Sequence, residues 1–297
     1  MSTVADNKNK AIFYMILSAF AFTVMQVFIK LAINIPVFEK VFFRNFIGLI
    51  VTIVILKRNR LSVLGQKENR KLLWIRGLLG VGGVVAYFYS ASYLPMADAA
   101  IINKTNPFFV TLFAWCFLKE KLSRVQIPAL IITFIGAMLV IRPQFSFEAL
   151  PAIIGFAGAV FMGGAYNTLR LLKEKEHAAT VVFYFCLFST VIAIPFLVFN
   201  FVWPNTYELL LLLGIGLTAL IGQYAITYAY RFAPAAEISI YNYASIIIAV
   251  VFGIIIWNEV PDIYNIIGAV LIIGVAIVVW RYNKKSAKIT LLEDYDH

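Results

Sequence analysis

The sequence has few of the residues on which metal sites, disulfides and most catalytic sites depend. Its 297 residues include 2 histidines and 2 cysteines, and both cysteines, Cys116 and Cys186, lie inside apolar segments. Two such cysteines define neither a disulfide framework nor a metal site. His177 and His297 fall in segments that we predict to lie outside the membrane. We also find no phosphate-binding loop, ATPase motif or catalytic triad, and we therefore expect neither an enzyme nor a bound cofactor.

Charged residues are also scarce, at 13% of the chain, while 62% of the residues are hydrophobic. A soluble domain carries about 25% charged residues. A bilayer core about 30 Å thick needs about 20 apolar residues for each helix that crosses it. Apolar segments of that length recur along the whole chain, and lipid cannot satisfy an open backbone. The composition therefore predicts an all-α integral membrane protein that contacts membrane lipid.

We predict ten transmembrane helices between a short N-terminus (1–10) and a C-terminal tail (281–297). They form two five-helix units, 11–142 and 151–280. The predicted spans are 11–31, 37–56, 74–94, 97–117, 125–142, 151–171, 179–200, 207–230, 234–257 and 261–280. Asp262 is predicted to cap the last of them.

The net charge of +10 does not indicate a nucleic-acid partner, because the basic residues are distributed over the gaps between helices. Arg142 is the single exception among loop Lys and Arg residues that otherwise all fall on one side. By the positive-inside rule, both termini are predicted to be cytoplasmic. The small size and this bias favour a bacterial inner membrane.

One stretch of the chain occurs twice. Residues 83–120 align with 222–259 at a constant offset of 139, with nine identical positions. These include Pro95 and Pro234, Asn103 and Asn242, and Glu120 and Glu259, which apolar composition alone would not match. We interpret the pattern as an internal duplication. Because each predicted unit has an odd number of helices, the second unit would be inverted, as in transporters that alternate access to a midplane site.

The duplicated stretch also resembles a known family. The segments YLPMADAAIINKTNPFFVTLFAWCFLKEKL (93–122) and RFAPAAEISIYNYASIIIAVVFGIIIWNEV (231–260) are similar to the drug/metabolite transporter superfamily, in particular its EamA-type, ten-helix members. That resemblance implies a secondary transporter, with cargo among amino acids, nucleotide sugars, phosphorylated sugars or drugs. The segments EKVFFRNFIG and WIRGLLG look most like branches that carry organic anions, riboflavin or S-adenosylmethionine.

Basic residues inside predicted spans need an explanation, because each costs at least about 2.5 kcal/mol at a helix centre. Lys104 lies about 10 Å into its span. Asn103, Asn106 and Pro107 surround it, and Pro107 should free the Asn103 carbonyl for an anionic cargo. Arg44 lies at similar depth and suits a carboxylate. For Lys104 the alternatives are a structural ion pair with Asp98 or Glu39, or a side chain that extends to the outer edge of the bilayer. For Arg44 the alternative is pairing with Glu39 or Asp98 to close an outer gate. Arg76 is predicted to reach the cytoplasmic interface, with a role in transport as the alternative.

Acidic and aromatic residues complete the predicted site. Glu39, Asp98 and Glu237 are candidates for gating or proton coupling, with helix-start stabilisation as the alternative for the last two. Glu120 and Glu259 are predicted to be structural. Four further residues are predicted to line the cavity, with core packing as the alternative: Tyr89, Tyr228, Tyr241 and Asn242.

The sequence thus predicts a secondary transporter for a small polar organic metabolite that bears an anionic group, such as an organic acid, amino acid or nucleoside-like compound. Transport would draw on a proton, an ion or exchange. The alternative is a broad-specificity drug or aromatic-compound exporter that uses the tyrosine-rich surface without a specific anion contact. Substrate identity, transport direction and oligomeric state do not follow from the sequence.

Overall fold

The computed structural model describes residues 8–119, 125–141, 149–172, 175–232 and 238–293. Within these ranges the chain is helical and contains no β-strand. The α-helices are α1 (Lys8–Leu31), α2 (Val37–Arg58), α3 (Arg70–Tyr93), α4 (Met96–Asn103), α5 (Asn106–Leu118), α6 (Gln126–Ile141), α7 (Leu150–Leu172), α8 (Ala178–Asn200), α9 (Thr206–Phe232), α10 (Ala244–Trp257) and α11 (Ile263–Glu293). Short 3₁₀ helices, Lys67–Asn69 and Ser239–Tyr243, precede α3 and α10.

Seven helical segments in the described part of the chain are long and apolar enough to cross a bilayer. They coincide with α1, α3, α7, α8, α9, α10 and the first part of α11. The helix α2 is not among them, because Glu39, Lys40 and Arg44 interrupt its apolar sequence. The helix α6 is apolar but short. The all-α membrane fold is therefore confirmed.

The predicted span 97–117 is not a single helix. The chain leaves the helix after Asn103 and starts α5 at Asn106. Pro107 has no N–H to donate to Asn103, so the hydrogen-bond ladder is interrupted there. Side chains close the gap: Asn106 Nδ2 donates to the Asn103 carbonyl (2.8 Å) and Thr105 Oγ1 donates to the Ile102 carbonyl (2.7 Å). The break lies within the apolar segment rather than at its end.

The helices pack mainly across the two predicted units. The helix α1 lies against α9, α3 against α7, α2 against α8, and α6 against α11. The principal apolar core lies where α1, α2, α3 and α9 meet, around Met25, Ile29, Phe88 and Leu212. A second core joins α4, α6 and α10. As predicted, Asp262 caps α11, because its Oδ1 accepts from the Asn265 N–H at 3.0 Å.

Two helices end in the same unusual way. The residue after α5, Lys119, has φ 56° and ψ 26°, and the residue after α10, Asn258, has φ 53° and ψ 31°. Both are left-handed C-terminal caps, a conformation that non-glycine residues seldom adopt. The two residues are separated by the offset of 139 that aligns the duplicated stretch. The local backbone therefore repeats along with the sequence.

Glycines bring α6 and α11 close together. A Cβ atom built on Gly268 would lie 2.7 Å from the Gly136 carbonyl oxygen, and one built on Gly136 would lie 3.1 Å from the Gly268 oxygen. Side-chain atoms are slightly nearer in both cases, Val140 Cγ2 at 2.5 Å and Ile272 Cγ1 at 3.0 Å, but the backbone oxygens cannot rotate away. This contact is a small-residue interface of the kind that lets membrane helices approach closely.

We expect Gly268→Val to destabilise the protein by about 1–3 kcal/mol, because the new side chain would push α6 and α11 apart. The melting temperature of the purified protein in detergent would measure the effect. Gly274→Val is the matched control on the same helix, since a Cβ at Gly274 meets no atom within 4 Å. Equal decreases in the melting temperature of the two variants would show that the contact between α6 and α11 does not cause the effect.

Candidate functional site

Two arginines meet on one aromatic ring inside the helix bundle. Arg44 reaches in from α2 and Arg76 from α3. Their Cζ atoms lie 5.5 Å and 5.2 Å from the ring centroid of Phe185 on α8. Each distance is within the range of a cation–π contact. The ring therefore holds two positive groups from different helices at one place.

Gly80 makes room for this arrangement. It lies one turn after Arg76 on α3, and a Cβ atom built there would be 2.4 Å from Arg76 Nη1 and 2.7 Å from Phe185 Cδ2. Any larger residue would move the guanidinium, the ring or both. The glycine is thus a positioning residue for the arginine pair.

Three side-chain nitrogens of the pair are buried without a hydrogen-bond partner in the described part of the chain, whereas a fourth has one. Arg44 Nη1 donates to Asn45 Oδ1 at 2.9 Å, and Asn45 is fully buried. In contrast, Arg44 Nε, Arg76 Nε and Arg76 Nη1 are buried without a hydrogen-bond partner among the described residues.

The titratable neighbours of the pair carry no negative charge at neutral pH. They are Tyr87, Tyr166 and Cys186, and within the described ranges no carboxylate forms an ion pair with either arginine. A buried charge without a counter-ion is costly, and buried donors without acceptors add to that cost. The pair is therefore suited to receive an anionic group from outside the protein.

Lys104 supplies a separate positive group at the break between α4 and α5. Its Nζ lies 5.9 Å from the ring centroid of Tyr243, and it makes no hydrogen bond or ion pair with the described residues. Lys104 and Tyr243 are separated by 139 residues, so equivalent positions of the two copies contact each other. The alternative ion pairs of Lys104 with Asp98 or Glu39 are not formed.

The amides beside Lys104 are not arranged as predicted. The Asn103 carbonyl is not open to a cargo, because Asn106 Nδ2 occupies it. Asn106 therefore stabilises the break instead of offering its amide nitrogen to a ligand. In the second copy, Ser245 Oγ donates to the Asn242 carbonyl at 3.0 Å.

The predicted tyrosines are not gathered around the basic residues. Tyr89 stacks on Tyr93 (4.9 Å between centroids) and lines an apolar groove with Phe38 and Val85. It lies 13 residues after Arg76, about 20 Å further along α3. Tyr228 is 42% exposed and packs on Tyr14, and Tyr241 packs against the cluster around Ala11 and Met15.

Two of the predicted gating acids, Glu39 and Asp98, each accept a hydrogen bond from a neutral group. Glu39 is buried, and its Oε2 accepts from the Val202 N–H at 3.2 Å while its Oε1 has no partner among the described residues. It therefore does not pair with Arg44. Asp98 Oδ1 accepts from Asn265 Nδ2 at 2.7 Å, which joins α4 to α11. Glu237 lies outside the described residues, as does Glu120.

Comparison with known proteins identifies the family. The model of the EamA-like transporter family matches residues 9–142 and again residues 149–281. The chain belongs to the EamA-like transporter family. It is thus a multi-pass membrane transporter, and the resemblance inferred from the duplicated stretch is confirmed.

Individual relatives of this EamA-family chain cover nearly its whole length. It is 34% identical to the "Pseudopaline exporter CntI" of Pseudomonas aeruginosa over 95% of this chain and 99% of that protein. It is 29% identical to human "Solute carrier family 35 member G1" over 95% of this chain and 85% of that protein. A solved crystal structure shares the fold, with a TM-score of 0.60 at 20% identity, over 90% of this chain and 98% of the other.

The structure corrects the prediction for Arg76. A side chain that reached the membrane interface would have its donors in water, but Nε and Nη1 of Arg76 are buried beside Phe185. Arg76 lies only six residues from the start of α3, which is why sequence depth suggested an interfacial position. Gly77 and Gly80 follow Arg76 closely in the sequence. These small residues indicate that the Arg76 side chain has room to turn inward.

A second ionic cluster lies at the turn between α3 and α4. Lys30 forms an ion pair with Glu259, and its Nζ also donates to the Leu94 carbonyl at 3.0 Å. Glu259 Oε2 accepts from the Met96 N–H at 2.9 Å, and Trp257 covers Lys30 at 4.9 Å. This cluster joins α1, α4 and the residues that follow α10. The contacts agree with the structural role predicted for Glu259.

No group of metal-binding side chains lies in the described part of the chain. The side chains that the structure brings together at the site are basic and aromatic.

We expect Arg76→Gln and Lys30→Gln to have different effects on stability. Removing an unpaired buried charge should leave the cargo-free melting temperature in detergent unchanged or higher. Removing Lys30 would leave Glu259 without its cation and cost about 1–3 kcal/mol. A loss in Arg76→Gln as large as that in Lys30→Gln would show that Arg76 is structural.

Proposed function

We propose that this EamA-family protein is a secondary transporter that moves a small, anionic organic metabolite by alternating access. The observation that carries the proposal is the pair Arg44 and Arg76, three of whose buried donor nitrogens have no protein acceptor within the described residues. Ionisable residues inside membrane segments mark substrate or ion pathways when they face the bundle interior. A carboxylate or similar group of the cargo would supply the missing acceptors.

Ten spans in two inverted five-helix halves fit the packing, with α4 and α5 forming one broken span and Ser239–Tyr243 leading into α10. If each helix is replaced by its counterpart in the other half, the α1–α9 pair becomes the α7–α3 pair. The α2–α8 and α6–α11 pairs stay the same, because the two helices of each pair are counterparts. The matching caps Lys119 and Asn258 and the Lys104–Tyr243 contact also support the proposal. We place both termini in the cytoplasm, from the distribution of loop Lys and Arg residues.

The proposed direction of transport is export across a bacterial inner membrane. It rests on a bacterial relative that is named as an exporter and that the chain matches over nearly its full length. Energy would come from exchange or from an ion gradient. Glu39 is the leading candidate for a proton-coupled residue, because its buried Oε1 has no partner within the described residues. Asp98 and Glu237 remain gating candidates.

One observation favours a second candidate, a broad-specificity exporter of drugs or aromatic compounds. An apolar groove of about 460 Å³, lined by Phe38, Leu78, Val85, Tyr89 and Ile192, lies between α2, α3, α7 and α8. An aromatic cargo that used this groove would need no anion contact. Loss of Arg44 or Arg76 would then have little effect on transport.

Exchange in proteoliposomes preloaded with a polar-metabolite mixture tests the proposal. We expect labelled organic acids or amino acids to exchange through the intact protein. We expect Arg44→Gln to reduce this exchange by tenfold or more, since one charge-assisted contact is worth about 1.5–3 kcal/mol. Lys104→Gln reports in the same assay whether Lys104 contributes to cargo binding.

Arg58→Gln is the matched control, because Arg58 is an exposed residue at the end of the same helix. It should exchange the cargo at the unchanged rate. Undiminished exchange of anionic compounds in Arg44→Gln would contradict the arginine site. Voltage-driven current without exchange would indicate a channel.

A further inference from the structure

The charges around the site do not balance. Lys30 has Glu259 as its counter-ion, but Arg44, Arg76 and Lys104 have no carboxylate partner among the described residues. The nearest titratable groups of the arginine pair are two tyrosines and a cysteine. The site therefore carries at least two positive charges that no described side chain neutralises.

We propose that the cargo of this site carries at least two negative charges, as a short dicarboxylate or a compound with a dicarboxylate part does. The inference rests on the proposed function and deepens it, because an anion transporter would work with a single carboxylate. It specifies the class of cargo that the paired arginines select.

The number of free donors supports a cargo with more than one anionic group. Asn45 occupies Arg44 Nη1, while Arg44 Nε, Arg76 Nε and Arg76 Nη1 remain without partners in the described structure. These donors belong to two guanidinium groups on different helices. Guanidinium groups bind carboxylates best when one carboxylate receives two parallel N–H bonds. Two guanidinium groups thus suit two carboxylates better than one.

Desolvation supports the same conclusion. In the cargo-free protein, water can hydrate the parts of the arginines that are not buried. A bound cargo displaces that water, and a charge left dehydrated without a counter-ion is strongly unfavourable. A monoanion would neutralise one guanidinium and dehydrate both, whereas a dianion would neutralise the pair.

The geometry limits the size of the dianionic part. The two Cζ atoms lie 5.5 Å and 5.2 Å from the same Phe185 centroid, so they are less than about 11 Å apart. Both guanidinium groups are therefore within reach of one short molecule. The Phe185 ring that both arginines contact also offers an apolar surface for the carbon chain of that molecule.

A binding series with matched compounds tests the inference. The probes are succinate, glutarate and adipate, each compared with its monomethyl ester, which has nearly the same shape and one negative charge fewer. We expect at least one diacid to bind the purified, detergent-solubilised protein about tenfold more tightly than its ester, by calorimetry or thermal shift. Equal affinities throughout, or no binding by any diacid, would overturn the inference.

Arg76→Gln identifies the source of the preference. We expect the variant to bind the diacid about tenfold more weakly while its affinity for the ester changes by less than about threefold. Lys71→Gln, an exposed position on the same helix, is the control and should keep the full preference. Equal losses for both ligands in Arg76→Gln would contradict a role for Arg76 in charge selection.

The exchange assay separates this inference from the proposed function. If monocarboxylates exchange as well as dicarboxylates and Arg44→Gln abolishes both, the anion transporter stands and the dianionic cargo is excluded. If only neutral or aromatic compounds exchange, both proposals fail. If dicarboxylates exchange in preference to their esters, both are supported.

Discussion

The need to compensate charge in a medium without water governs this structure. Each basic residue inside the bundle meets that need differently. Lys30 has a counter-ion in Glu259, and Lys40, although fully buried, is held by neutral oxygens: the Ile29 carbonyl at 2.9 Å and Ser92 Oγ at 2.8 Å. Among the described residues, Arg44 and Arg76 have only the Asn45 oxygen and the Phe185 ring. The differences in compensation separate basic residues that stabilise the bundle from those available to a cargo.

Close helix packing makes these arrangements fit. Gly80 leaves the space that Arg76 and Phe185 fill, and Gly136 and Gly268 let α6 and α11 approach until backbone meets backbone. The break between α4 and α5 brings Lys104 to the Tyr243 ring within the bundle. Backbone carbonyls at the break accept hydrogen bonds from the nearby side chains of Asn106 and Thr105. Non-helical backbone at membrane depth is tolerated where protein surrounds it and its polar groups are paired.

The helices and the family could be read from the sequence, because apolar length and the repeated Pro, Asn and Glu pattern are local signals. Arg44 was also a candidate from the sequence, since a charge in the middle of an apolar segment has few explanations. Arg76 was not, because distance from a helix end does not reveal which way a long side chain turns. Asn106 and Tyr89 were misjudged for a related reason: the partner of an amide and the direction of a ring depend on neighbouring helices. Pro107 indicated that a backbone bond was lost, but not that Asn106 would replace it.

The contact between Lys104 and Tyr243 joins equivalent positions that carry different residues in the two copies. The two residues occupy equivalent positions of the duplicated stretch and touch each other. In an assembly of two identical five-helix chains, such a position would hold the same residue twice, lysine against lysine or tyrosine against tyrosine. Two lysines would repel each other, and two tyrosines would offer no charge. Because one chain carries both copies, the two residues at this position can differ, and here a cation faces a ring.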